Sequence, residues 1–402
     1  MTKHSPIPIE EFQASINDRM NARFFPSGAY VSEDFHRFEL DAVWFREWIS
    51  VGRLEEIPER GDFFTVNVGG EPIIVVNGKD GITAMSAVCQ HRGMLLTDEA
   101  KGHADGFVCP YHRWTYDLAG NLVGAPQMAG VGTYDKDCLG LPQLAVEIWQ
   151  GIIFINFDTE AAPLADRLAP LDAIVADWDL PNLRGEFLKD PNYRQFHDYD
   201  WNWKVYAEGQ AECYHCDKLH HDAPGIQNID CNSMEIEVQD EERGVFSFFM
   251  RNKVIDATVN HVGTAIFPAI PTLSEEQRWE QHSIVISPNI FMQLMPDCVI
   301  LLSWWPTGPT TMRVKRHRLY PQSTLDLENF VEDHKAESAH IRYFVGQDDF
   351  AFQGVQAGLK SRFAPHGPLS SREFVINGMN KWLVDRYARA DEQARAKTLE
   401  DA

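Results

Sequence analysis

Apolar positions in the first 50 residues recur at roughly helical spacing. Phe35, Phe38, Leu40, Val43, Trp44 and Trp48 follow Ser32-Glu33-Asp34, a sequence suited to capping a helix, so a helical lead-in is expected over residues 5–50. From Val51 the period shortens to two. Runs at 63–68 and 72–76 read as strands turning at Gly69-Gly70, and runs at 144–149 and 152–155 as a second hairpin turning at Gln150-Gly151. Residues 50–157 are therefore expected to form a small β-rich domain, followed by a polar joint at 158–170. The second half mixes the two periods. A helical pattern covers 202–219, and strand-like runs follow at 245–250, 283–287, 298–304 and 311–319, the last with its basic residues facing solvent. Helical stretches follow near 324–340, 347–357 and 372–398. Strands followed by helices, without repeated βαβ units, predict the α+β class.

The 402 residues suffice for two domains, and 44% apolar residues suffice for a large core. The formal net charge of −23 argues against nucleic acid or an anionic membrane surface as partner, since both attract basic patches. It fits a soluble protein kept dispersed by self-repulsion. The first twenty residues lack the apolar run of a secretory signal, and no stretch approaches the ~20 apolar residues of a membrane span. The expected location is the cytoplasm. Seven cysteines at irregular spacing do not form a disulfide framework there, and metal ligation or burial are the better readings.

Two constellations carry chemistry. The first is Cys89-x-His91 and Cys109-x-x-His112, two tight pairs separated by seventeen residues in glycine-punctuated loops. Two Cys and two His admit a closed zinc site or a two-iron cluster with two Cys on one iron and two His on the other. Zinc fingers put both Cys first. The order Cys, His, Cys, His suits two similar loops gripping a cluster from either side.

The second is Glu212-x-x-His215 followed by His220. On an ideal helix Glu212 and His215 lie about 60° apart, but His215 and His220 about 140° apart. Two His on one metal therefore require the helix to end or bulge, and the irregularity is expected around 216–220. Iron sites that activate O₂ use two His and one carboxylate on one face. Glu208, Glu212 and Asp222 are nearby acids, and His221 competes with His220.

Cys89-x-His91-Arg92-Gly93 followed by Cys109-Pro110-Tyr111-His112-x-Trp114-x-Tyr116 is similar to the signature of Rieske ferredoxins and Rieske oxygenases. Trp44-Phe45-Arg46-Glu47-Trp48, Gly61-Asp62, Asn202-Trp203-Lys204 and a late segment from Asp348-Asp349 through Gln353 and Gln356 to Gly358 extend the likeness over nearly the whole chain. The chain resembles the α-subunit of Rieske non-haem iron oxygenases. The resemblance implies a β-rich Rieske [2Fe–2S] domain at 50–157 and a helix-grip-like catalytic domain with an antiparallel sheet at 158–402. Residues 1–49 would pack on the latter. It implies a cluster held by Cys89, His91, Cys109 and His112. It also implies a mononuclear Fe(II) held by His215, His220 and Asp348, with Asp349 the runner-up for the carboxylate.

Imidazole ligands raise a cluster potential to roughly −150 to +300 mV, against about −400 mV for all-cysteine plant-type clusters. Tyr116 and the loop amides are candidate donors to the sulfurs. The family also implies a ring-shaped homotrimer, in which Glu212 bridges a cluster His of one chain and an iron His of its neighbour. No Gly-rich dinucleotide fingerprint follows a strand, so NAD(P)H would act only through a separate flavin or iron–sulfur reductase, with O₂ and a small molecule as the other partners. Three positions depart from the common pattern: Arg113, often Gly; Gly209, often Asn; and Glu212, often Asp. Cys213 and Cys216 sit inside the iron motif and read as packing residues, and His103 reads as solvent-exposed.

Glu212-Cys213-Tyr214-His215-Cys216 resembles the branch that hydroxylates or oxidatively demethylates quaternary ammonium compounds such as betaines and carnitine. A cation calls for an aromatic cage, and Trp279, Trp304, Trp305, Phe248 and Phe249 are available, though core packing competes for each. The alternative is an aromatic-acid hydroxylating or cis-dihydroxylating enzyme, which needs an inward-facing Arg or Lys. A bare electron carrier or sensor would leave the second constellation unexplained.

Overall fold

The computed structural model describes residues 4–190, 193 and 195–400. Two compact units result, Trp44–Leu164 and the combination of Met1–Val43 with Ala165–Ala402. None of the described helices is long and apolar enough to cross a membrane.

The Trp44–Leu164 unit holds strands β1 (Ile49–Arg53), β2 (Asp62–Val68), β3 (Glu71–Asn77), β4 (Ile82–Ser86), β5 (Lys101–His103), β6 (Phe107–Val108), β7 (Thr115–Tyr116), β8 (Leu122–Gly124), β9 (Gln143–Trp149) and β10 (Ile152–Asn156). Seven form an antiparallel sheet ordered β1-β10-β9-β4-β3-β2-β5, and β6-β7-β8 form a small second sheet. Between them lies a core containing Phe63, Ile74, Phe107, Trp114 and Tyr116, with Cys89 and Cys109 among its buried members.

The other unit is built on an eight-stranded antiparallel sheet of β11 (Arg184–Gly185), β12 (Phe196–Tyr199), β13 (Glu235–Asp240), β14 (Val245–Arg251), β15 (Glu280–Ile286), β16 (Ile290–Leu294), β17 (Val299–Gly308) and β18 (Thr311–Tyr320). Its main helices are α1 (Glu33–Glu39), α2 (Trp203–Gln210), α3 (Cys216–Leu219), α4 (Phe330–Leu359) and α5 (Phe374–Glu400). Asn202 caps α2, its side chain accepting from the Lys204 amide. The next two residues anchor the helix. Trp203 Nε1 and Lys204 Nζ both donate to Glu39 of α1, at 2.8 and 2.7 Å, in a fully buried cluster that Tyr387 completes. Deleting one partner would strand a buried charge, at a cost of about 3–5 kcal/mol.

Four expectations need correction. The lead-in is not one helix: Pro6, Pro8 and Pro26 remove amide donors, so a 3₁₀ turn at Ile9–Ser15 precedes short helices from Gly28 onward. The stretches at 324–340 and 347–357 join into the single helix α4, because the apolar run between them is helical and faces a cavity through Ile341, Phe344 and Val345. Strands β12, β13 and β16 lie outside the expected runs. Finally, most basic residues of β18 do not face solvent. Arg313 is exposed, but Lys315, His317 and Arg318 are buried and Arg316 half-buried, because β12 pairs along the edge of β18 and α4 supplies Glu337 to Arg318 on one face.

Candidate metal centres

The loops that carry the first constellation share one backbone design. In each, the cysteine amide donates to the carbonyl five residues on, Cys89 to Met94 and Cys109 to Trp114, both at 2.8–2.9 Å. In each, the cysteine carbonyl accepts from the amide four residues on, that of Gly93 or Arg113, at 3.0 Å. Both of those fourth residues are left-handed, with φ of +74° and +62°. That explains why Gly suits the position of Arg113, where an L-residue costs roughly 1–2 kcal/mol. The loops bury both thiols and bring the His91 and His112 rings to 4.6 Å at the exposed end, with His91 stacked on Trp114. Burial, helped by the adjacent Cys109, raises the Cys89 thiol pKa; a bound cation reverses that preference. Tyr116 Oη accepts from the Gln90 amide at 3.1 Å and lies 3.5 Å from Cys89 Sγ, which leaves its own proton for the sulfur. The donor set fits a two-iron cluster.

In the second constellation α2 stops at Gln210 and α3 starts at Cys216. The irregularity is therefore at 211–215, earlier than expected. Glu212 holds this turn: its carboxylate accepts from the Tyr214 and His215 amides just ahead of α3. The break brings His215, His220 and Asp348 together, with ligating atoms all within 4.8 Å. His215 Nε2 and His220 Nε2 lie 3.5 and 2.9 Å from the same Asp348 oxygen. Yet His220 Nε2 and Asp348 Oδ1 are buried without an aligned hydrogen bond. Each ring is held by its other nitrogen, His215 Nδ1 at 2.5 Å from Glu212 and His220 Nδ1 at 2.8 Å from Gln347. Lone pairs aimed at one buried point, with both rings fixed from behind, are what a metal requires. Against the effect of burial, Asp348 and Glu212 push the His215 pKa up to about 10. A metal ion would take the place of that proton.

Asp349 and His221 are not in this group. Asp349 lines the adjoining cavity, and His221 is exposed. Asp222 binds Tyr343 and Gln347 instead, and Glu208 accepts from Tyr30 Oη at 2.6 Å. His103 is exposed and paired with Asp62. Cys213 and Cys216 are buried as packing requires, but they also form a disulfide, since the turn leading into α3 sets their Cα atoms 5.0 Å apart. Gly209 has a packing role: a Cβ there would lie 2.3 Å from the Phe352 ring. Gln347, which orients His220, escaped the sequence reading; its signal was adjacency to Asp348.

A cavity of about 100 Å³ lies between the sheet and α4, lined by Asp348, Gln210, Tyr206, Phe291, Phe352 and Arg316 among others. A smaller one of about 80 Å³ shares Gln210, Phe291, Phe344 and Asp348 and adds Phe248. Of the five aromatic residues proposed for a cage, only Phe248 borders these cavities; Trp304 and Trp305 are buried elsewhere and Trp279 is 41% exposed. Strand alternation and the α4 face decide which rings point inward. A larger void of about 410 Å³ also reaches His215 and Asp348, its walls including Phe24, Val205, Val355 and the acids Glu208 and Glu373.

The ring-hydroxylating α-subunit (catalytic domain) family model matches residues 186–389, and the Rieske [2Fe–2S] domain model matches 47–135. The chain is 35% identical over 206 residues (51% of this chain, 45% of the relative) to the glycine betaine monooxygenase oxygenase subunit of Chromohalobacter salexigens. It is 36% identical over 208 residues (48% of each chain) to the large oxygenase component of salicylate 5-hydroxylase from a Ralstonia species. The matched chain spans about half the length of these curated relatives. Among solved structures, a quaternary ammonium Rieske monooxygenase superposes with a TM-score of 0.78 at 22% identity, over 96% of this chain and all of that one.

Proposed function

This chain belongs to the ring-hydroxylating α-subunit family, and on that premise we propose that it is the terminal oxygenase component of a Rieske system. Its work is to hydroxylate or oxidatively demethylate a small organic molecule with O₂ and electrons from a separate reductase. Residues 50–157 serve as the Rieske domain and 158–402 as the catalytic domain, with 1–49 packed on the latter, and the working form is a homotrimer. The [2Fe–2S] cluster supplies single electrons and the mononuclear iron activates O₂ when they are bound.

The chain's own residues set where this happens. Cys89, His91, Cys109 and His112 would hold the cluster, and His215, His220 and Asp348 the iron. Glu212 fixes the His215 ring and offers the route between centres; Gln347 fixes His220. The apolar cavity walls exclude water and present the substrate to the iron side. The observation that carries the reading is the convergence of His220 Nε2 and Asp348 Oδ1, buried and without other partners, beside an aromatic-lined cavity.

The relatives named for betaine and the aromatic lining support a quaternary ammonium substrate. The salicylate relative supports an aromatic acid as the second reading. A single-turnover assay separates them: the cluster is chemically reduced, mixed with O₂ and followed by its visible absorbance with each compound. Faster reoxidation and a hydroxylated or demethylated product with a betaine-like cation uphold the first reading. The same response only with an aromatic acid replaces it with the second. A protein that holds the cluster irons alone and turns over nothing is an electron carrier.

A further inference from the structure

We propose that Arg316 anchors a carboxylate on the substrate, so that this cavity selects acids over their neutral analogues. The inference rests on the reading of the cavity beside Asp348 as the substrate site.

Side chains alternate along β18, so Arg316 and Arg318 point to the same face, toward α4. Their surroundings differ. Arg318 is buried and its Nη1 is paired with the Glu337 carboxylate. Arg316 meets neutral oxygens instead. Its Nη2 donates to Tyr199 Oη at 2.6 Å, the Tyr206 side chain lines the same cavity, and its carbon end lies 5.6 Å from the Tyr199 ring centre. Among the described residues no carboxylate stands within ion-pair distance of its guanidinium; Asp349 is the acid that shares its cavity. A guanidinium has five donors in a planar fork. One hydroxyl leaves most of that fork open toward the cavity, and a half-buried guanidinium without an anion beside it favours one.

The cavity completes the argument. Arg316 and Asp348 line the same enclosed space, with Phe291 and Phe352 between the sheet and α4. A carboxylate seated on the Arg316 fork leaves the rest of a small molecule lying along the aromatic walls toward the residues that converge on the metal point. Lys would not replace Arg well, because the bidentate geometry belongs to the guanidinium.

The test uses the loaded protein without O₂, with matched pairs in which a carboxylate is exchanged for a primary amide: glycine betaine and its amide, salicylate and salicylamide. Binding is measured by calorimetry for wild type, Arg316→Met and Arg316→Lys. One acid should bind wild type about 10- to 100-fold more tightly than its amide. Arg316→Met should lose that preference and Arg316→Lys recover part of it, with iron content and cluster spectrum unchanged in both. In turnover the loss should appear mainly in KM. Wild type that shows no acid preference across the panel overturns the proposal. So does an Arg316→Met protein with intact metal content that binds the acid as tightly as wild type. If acids bind through Arg316 but none is oxidised, the anchor stands and the oxygenase reading fails. Oxidation of a compound with no Arg316 dependence has the reverse meaning.

Discussion

Glu212 Oε1 lies 2.5 Å from His215 Nδ1, one helical step away in a chain that has just left its helix. The second carboxylate oxygen holds the backbone amides of Tyr214 and His215. One side chain thus fixes a metal-facing ring and the turn that presents it. Glu212→Gln keeps an acceptor and removes the charge. Both metals should remain bound, while reoxidation of the reduced cluster slows by roughly 10–100-fold, the range for residues that support a ligand. An unchanged rate in stopped-flow would remove Glu212 from the electron route.

His215→Ala removes one of the three converging side chains and leaves Cys89, His91, Cys109 and His112 in place. The visible cluster spectrum should persist, iron analysis should fall by one per chain, and product formation should cease. Turnover that survives places the iron elsewhere.

Gln347 Oε1 accepts from His220 Nδ1 at 2.8 Å, and its Nε2 donates to Asp222. Gln347→Ala frees the ring, and iron affinity should drop about 10–100-fold. Competition with a chelator reads this directly. The expected ordering is wild type, then Gln347→Ala, then His215→Ala.

Tyr116→Phe deletes the hydroxyl beside Cys89 Sγ and leaves the buried ring. A donor to a cluster sulfur stabilises the reduced, more negative state, so the potential should fall. Protein-film voltammetry checks it, and an equal or higher potential would mean that the hydroxyl serves only the Gln90 amide.

Gly209→Ala should cost about 1–3 kcal/mol, because the added methyl meets the Phe352 ring where α2 crosses α4. Thermal unfolding of Gly209→Ala and of Gly209→Ala/Phe352→Leu tests the cause: the second change should restore part of the loss. A pair of equally unstable variants would point to backbone effects instead.

Much of the site was legible because metal chemistry dictates residue type and short spacing. Two Cys-His pairs in glycine-marked loops, and an acid with two His that cannot share an ideal helix face, announce themselves in one dimension. Asp348 was legible only through resemblance, since it stands 128 residues beyond His220 and no local spacing links them. The position of the helix break differs from the expected one because a Glu side chain, not a glycine or proline, holds the turn.

By itself, then, the sequence determined the Cys and His residues proposed for both centres, the α+β class and the order of the units, because each depends on local pattern. Tertiary structure decided which charges and rings face inward. Arg313, Arg316 and Arg318 are alike as letters, yet one is exposed, one lines the cavity and one is locked to Glu337. What separates them is the alternation of β18 combined with α4 and its acids packing on one face. Such packing joins residues far apart in the chain, so no window of sequence contains it.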